Sequence, residues 1–90
     1  MSIAGIAVEI AGWIGAGLIL LGYLLVTTGR LTGQSRLFQW MNLVGAAGFV
    51  INGWWHGAIP STALNVIWMG IALVALIRLS VRAQRPAKAE

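Results

Sequence analysis

Residues 10–36 read IAGWIGAGLILLGYLLVTTGRLTGQSR, an uncharged apolar run closed by a glycine-, threonine- and serine-rich turn that holds Arg30 and Arg36. About 20 residues separate Glu9 from Arg30, the length a helix needs to cross the hydrocarbon core of a bilayer. The pattern then repeats: no Lys, Arg, Asp or Glu occurs between Arg36 and His56, and none between His56 and Arg78. The chain is therefore expected to be an all-α membrane protein with three transmembrane helices, at about 7–28, 36–55 and 60–79. These make a transmembrane domain over 1–82, followed by a flexible cytoplasmic tail over 83–90.

The cations set the orientation. Arg30 and Arg36 lie in the first connection, and Arg78, Arg82, Arg85 and Lys88 lie at the C-terminal end. Positive segments stay on the cytoplasmic side. The expected placement is a bacterial inner (plasma) membrane, with the N-terminus outside and the C-terminus cytoplasmic. Hydrophobic residues make up 59% of the chain and charged ones only 9%, a balance that exposes too much apolar surface for a small soluble domain. The net charge of +4 is explained by topology and anionic lipid headgroups, so the bilayer is the expected partner and nucleic acid is not. No cysteine is present, which excludes disulfides, thiolate metal sites and a cysteine nucleophile.

Turn chemistry supports the helix boundaries. Gly29 suits a helix C-cap and Ser35 an N-cap, and the short connection makes the first two helices antiparallel. In the outer turn, His56 to Ser61, Pro60 suits the first turn of a helix. Ala11 with Gly15 and Gly12 with Ala16 are small-xxx-small pairs that let a neighbouring helix approach closely. Trp40, Trp54 and Trp55 fall at the two ends of the second helix, as interfacial anchors do.

Polar residues within apolar helices are costly and mark candidate sites. Asn42, Gly45, Phe49 and Asn52 share one face of the second helix by their spacing, and Asn65 and Trp68 share one side of the third. An amide beside an indole suits a small polar solute, the amide exchanging hydrogen bonds while the ring stacks on an apolar face. The candidate ligand-binding residues are Asn65, Trp68, Phe49 and Asn42, with Asn42 also read as helix-to-helix glue and Asn52 as wetted by interfacial water. Glu9 is read as snorkelling to water, and His56 as a solvated loop residue. No zinc-ligand spacing, nucleophile elbow, phosphate loop or carboxylate pair occurs, so no enzyme, metal or cofactor is expected.

The chain resembles the SemiSWEET proteins, bacterial half-transporters whose three helices dimerise around a sugar site. The similarity lies in Gly12-Trp13-Ile14-Gly15-Ala16 and in the spacing of Gly45, Gly53, Pro60 and Asn65. It implies that Asn65 takes the place of the substrate-binding asparagine and that Phe49 lies near that of the pocket tryptophan. Two departures accompany it: Leu25-Val26 replaces the proline-glutamine hinge of the first helix, and His56 with Ala58 replaces an outer ion pair. The chain is also similar to small uncharacterised bacterial integral membrane proteins with the same Tyr23, Asn42-x-x-Gly45 and Asn65-x-x-Trp68 positions.

Three helices packed around a filled centre leave no aqueous route, so transport requires at least two copies. The expected function is a homodimeric passive carrier of a small polar, sugar-like solute. The alternative is a non-transporting accessory or scaffold subunit that packs on a larger membrane complex through its glycine-rich helix.

Overall fold

Helix α1 spans Ile3–Thr27, α2 spans Arg36–Trp55 and α3 spans Ile59–Gln84 in the computed structural model, which describes residues 2–84. Each boundary has a local cause. The Ser2 hydroxyl accepts from the Gly5 amide at 2.9 Å, and the Ser35 hydroxyl from the Phe38 amide at 3.3 Å, each satisfying a donor that the first helical turn leaves open. Helices α1 and α2 end alike. Gly29 (φ 79°) and Gly57 (φ 69°) sit in the left-handed region, and the amides of Arg30 and Ala58 reach back to the carbonyls of Leu25 and Gly53 at 2.8 Å. That is a Schellman closure, which a residue with a Cβ strains to adopt.

Two helix limits differ from the expectation. Helix α1 begins at Ile3 rather than near Ala7, because Ser2 supplies a cap ahead of the apolar run. Helix α3 continues past Leu79 through Ala83 and Gln84, since the loss of apolar character there brings no residue that breaks a helix. The expected tail therefore does not start at 83, and its remainder, 85–90, lies outside the described residues.

The three helices do not close around a common centre. They form a row in which α2 contacts both neighbours, while α1 and α3 do not touch among the described residues. The cause is that α2 is small on two sides. Toward α1 it presents Gly45 and Gly48: a Cβ at Gly45 would lie 2.6 Å from Ile19 Cγ1, and one at Gly48 would collide with the Ala11 carbonyl oxygen. Toward α3 it presents Gly53, where a Cβ would lie 2.5 Å from Thr62 Oγ1. Thr62 is itself buried, and its hydroxyl donates to the Ala58 carbonyl at 2.8 Å. Ala72 and Leu76 of α3 are buried as well.

Helices α1 and α3 are each long and apolar enough to cross a membrane, with mean hydropathy 2.0 in the most apolar window, only 11% of which is buried. A core helix of a soluble protein is mostly buried. Here Ile14, Leu20, Leu64, Ile67 and Ile71 all point outward.

Candidate functional site

A row of three helices leaves a groove between α1 and α3, floored by α2. Its central part is a cleft of about 300 Å³ lined by Ile19, Phe49, Ser61, Leu64, Asn65 and Trp68. Three of the four residues singled out from the sequence, Phe49, Asn65 and Trp68, thus meet in one place. Asn65 and Trp68 are three positions apart on α3 and so lie on one side of it, while Phe49 enters from α2.

Asn65 is half-buried, and its Nδ2 donates to the Ser61 carbonyl of its own helix at 2.9 Å. This commits one amide N–H and leaves the other N–H and the carbonyl oxygen of the side chain available to a ligand. Trp68 is 45% exposed, so its ring is open to a stacking partner. Asn42 is placed elsewhere: it is buried on α2 and does not line this cleft. Of the residues that share its face, Gly45 and Asn52 pack on α1.

Toward the end that carries Glu9 and His56, a second cleft of about 270 Å³ is lined by Glu9, Gly12, Trp13, Ala16, Phe49 and Asn52. Phe49 borders both clefts, and the second is lined by α1 and α2 alone. Two contacts here depart from the reading of the sequence. Asn52, expected to be wetted, donates from Nδ2 to the Val8 carbonyl of α1 at 3.1 Å. The amide fits because residue 12 is glycine, where a Cβ would lie 2.6 Å from that same nitrogen. His56, expected to be a solvated loop residue, is exposed but also holds Glu9 through Nε2 to Oε1 at 2.8 Å. No group of three or more His, Asp or Glu side chains able to hold a metal ion occurs among the described residues.

These contacts predict a graded pair of variants. Asn52→Leu removes a helix-to-helix hydrogen bond and lowers stability by roughly 0.6–1.7 kcal/mol, read as a shift in denaturant midpoint in detergent micelles. Glu9→Gln removes a pair whose side chains are 41–50% exposed, so its cost stays below about 1 kcal/mol. A Glu9 variant more damaging than the Asn52 variant would show that the Glu9–His56 pair, and not the amide, fastens α1 to α2.

No curated protein and no solved structure matches the chain. A protein-family model does match, over residues 8–84, a stretch that contains the whole groove; the chain belongs to that small uncharacterised family.

Proposed function

We propose that all three helices span a bilayer and that two copies face one another across the groove, forming a homodimeric passive carrier of a small polar, sugar-like solute. The observation that carries this reading is the open cleft that Asn65, Phe49 and Trp68 line together. Such a surface gives a solute with hydroxyls on its edge and C–H groups on its face both kinds of contact it needs. In one copy the cleft is open on the side away from α2, and a second copy related by a two-fold axis closes it.

The contacts of α2 support its spanning. No stretch of α2 matches the most apolar windows of α1 and α3, because glycine, tryptophan and asparagine replace aliphatic side chains. Yet it contacts α1 at both ends, Phe38 against Gly22 and Asn52 against Gly12. A helix paired along the length of a spanning neighbour spans as well, and its neighbours shield its amides from lipid. Charge supports the orientation. Arg82 Nη1 donates to Gln34 Oε1 at 3.2 Å, so the end of α3 meets the α1–α2 turn and Arg30, Arg36, Arg78 and Arg82 gather at one end. Glu9 and His56 mark the other. The basic end is cytoplasmic in an inner membrane, as in a SemiSWEET-like half-transporter. Helix α1 runs unbroken to Thr27, so the two copies exchange access by rocking as rigid bodies.

The test is uptake of labelled sugars and other small polar solutes into proteoliposomes, alongside the mass of the purified particle. Saturable flux from a clean dimer supports the carrier. Flux equal to that of protein-free vesicles for every solute, with an unrelated protein co-purifying in fixed ratio, would replace it with an accessory subunit.

A further inference from the structure

On the basic end of the molecule, outside the groove described above, a wide cleft of about 580 Å³ runs between α3 and the start of α2. One wall is apolar, formed by Ile71 and Val74, and the other end is polar, formed by Arg78, Arg82, Gln34 and Gln39. Arg78 and Arg82 are four positions apart and so lie one above the other on one face of α3. The Arg82–Gln34 hydrogen bond uses one guanidinium N–H of five, and Gln39 is fixed by donating from Nε2 to the Gly33 carbonyl at 2.8 Å. Among the described residues the only acid, Glu9, is at the opposite end, so nothing there offsets these two charges. Farther up α3, Gly70 also borders the cleft, and a Cβ there would meet nothing within 4 Å. Gly70 lies about 12 Å from Arg78 along the helix axis, at about 1.5 Å per residue.

We propose that this cleft holds one anionic phospholipid, its phosphate between Arg78 and Arg82 and an acyl chain lying along Val74, Ile71 and Gly70. The assignment rests on the helices spanning a bilayer but not on any solute being carried. The chemistry recognised is a phosphate monoanion, for which paired guanidinium groups supply bidentate donors. The apolar wall commits the site to a lipid source over free phosphate, because a small anion leaves the space beside Ile71 and Gly70 unfilled. Two arginines near a headgroup favour an anionic over a zwitterionic lipid by about 10- to 30-fold.

The experiment is native mass spectrometry of the full chain released from detergent micelles, titrated with phosphatidylglycerol, phosphatidylcholine or inorganic phosphate. The expected result is one retained phosphatidylglycerol at roughly tenfold lower concentration than phosphatidylcholine, with inorganic phosphate failing to displace it. The R78Q/R82Q double variant loses the preference, whereas R30Q/R36Q, with the same net charge, keeps it. Gly70→Leu fills the cleft without touching a charge or opposing the helix, and weakens both lipids. Equal loss in the two arginine pairs would reduce the effect to bulk charge and overturn the site. Displacement by inorganic phosphate, or an unchanged affinity in Gly70→Leu, would overturn the lipid. Extraction from the membrane fraction only with detergent checks the spanning itself by a separate readout.

Discussion

Replacing Gly48 with alanine will lower the stability of the bundle by about 1–3 kcal/mol, because at Gly48, as at Gly15, an added methyl group meets the backbone of the facing helix. At most crowded positions a neighbour can give way. A Cβ at Gly45 meets the Ile19 side chain, which has other rotamers. A Cβ at Gly48 instead collides with the Ala11 carbonyl oxygen and stands 3.3 Å from the Gly15 Cα, and backbone atoms inside a helix cannot turn aside. The helices must part, and every contact along the seam from Gly12–Asn52 to Gly22–Phe38 loosens with them. The sign makes the test sharp. Alanine is a better helix former than glycine by roughly 1 kcal/mol, so a substitution that changed only propensity would stabilise. Gly17→Ala is the control, since a Cβ there meets nothing within 4 Å. Denaturant titration in micelles should move the midpoint down for Gly48→Ala and leave it level or raised for Gly17→Ala. Matching midpoints would mean that α1 and α2 are not held at this distance.

Why that seam forms was partly legible in the chain. The spacing of Glu9, Arg30, Arg36, His56 and Arg78 is a one-dimensional signal, and it placed three helices because charge is excluded from an apolar rod wherever the rod runs. Gly29 and Ser35 were readable for the same reason, since a cap is decided by residues within one turn of it. The glycines announced close approach, but not to which partner: Gly15 meets Gly45 only once the register of two antiparallel helices is known. The same gap hid the row arrangement. Small residues on two faces of α2 let it take a neighbour on each side, whereas the expectation of a filled centre assumed one buried face per helix.

Asn52 and His56 show the limit differently. An amide near the polar end of a helix reads as wet, and what made it an interhelical donor was a missing side chain at Gly12, some 40 positions away. His56 carried a signal of its pairing: the sole histidine and the sole acid of the helical region fall near the start of α1 and at the end of α2, which antiparallel packing brings to the same end of the bundle. Asn65 and Trp68 were legible because three residues separate them on one helix. That Phe49 joins them and Asn42 does not is a matter of height, since the two lie seven residues and about 10 Å apart along one face of α2, and periodicity does not say which level meets Asn65.

Asn65→Ala will reduce solute uptake in proteoliposomes by about 100-fold if the carrier reading holds. Loss of one neutral hydrogen bond to a bound solute costs about 1–1.5 kcal/mol, near tenfold in affinity. A two-fold axis doubles the loss, because each protomer contributes one Asn65. The substitution is well suited to separate binding from folding, since the only hydrogen bond the side chain makes among the described residues is to the Ser61 carbonyl of its own helix. The variant should therefore keep the native midpoint and the native particle mass. Trp68→Ala, which removes the stacking face, should raise the half-saturating concentration, and Trp68→Phe should restore most of it, because a smaller ring still offers a face. Asn42→Ala provides the contrast: buried on α2 and away from the cleft, it should disturb the denaturation midpoint more than uptake by the protein that remains folded. Uptake by Asn65→Ala equal to that of the native chain, at equal amounts of folded dimer, would remove this amide from the solute's path and the carrier reading with it.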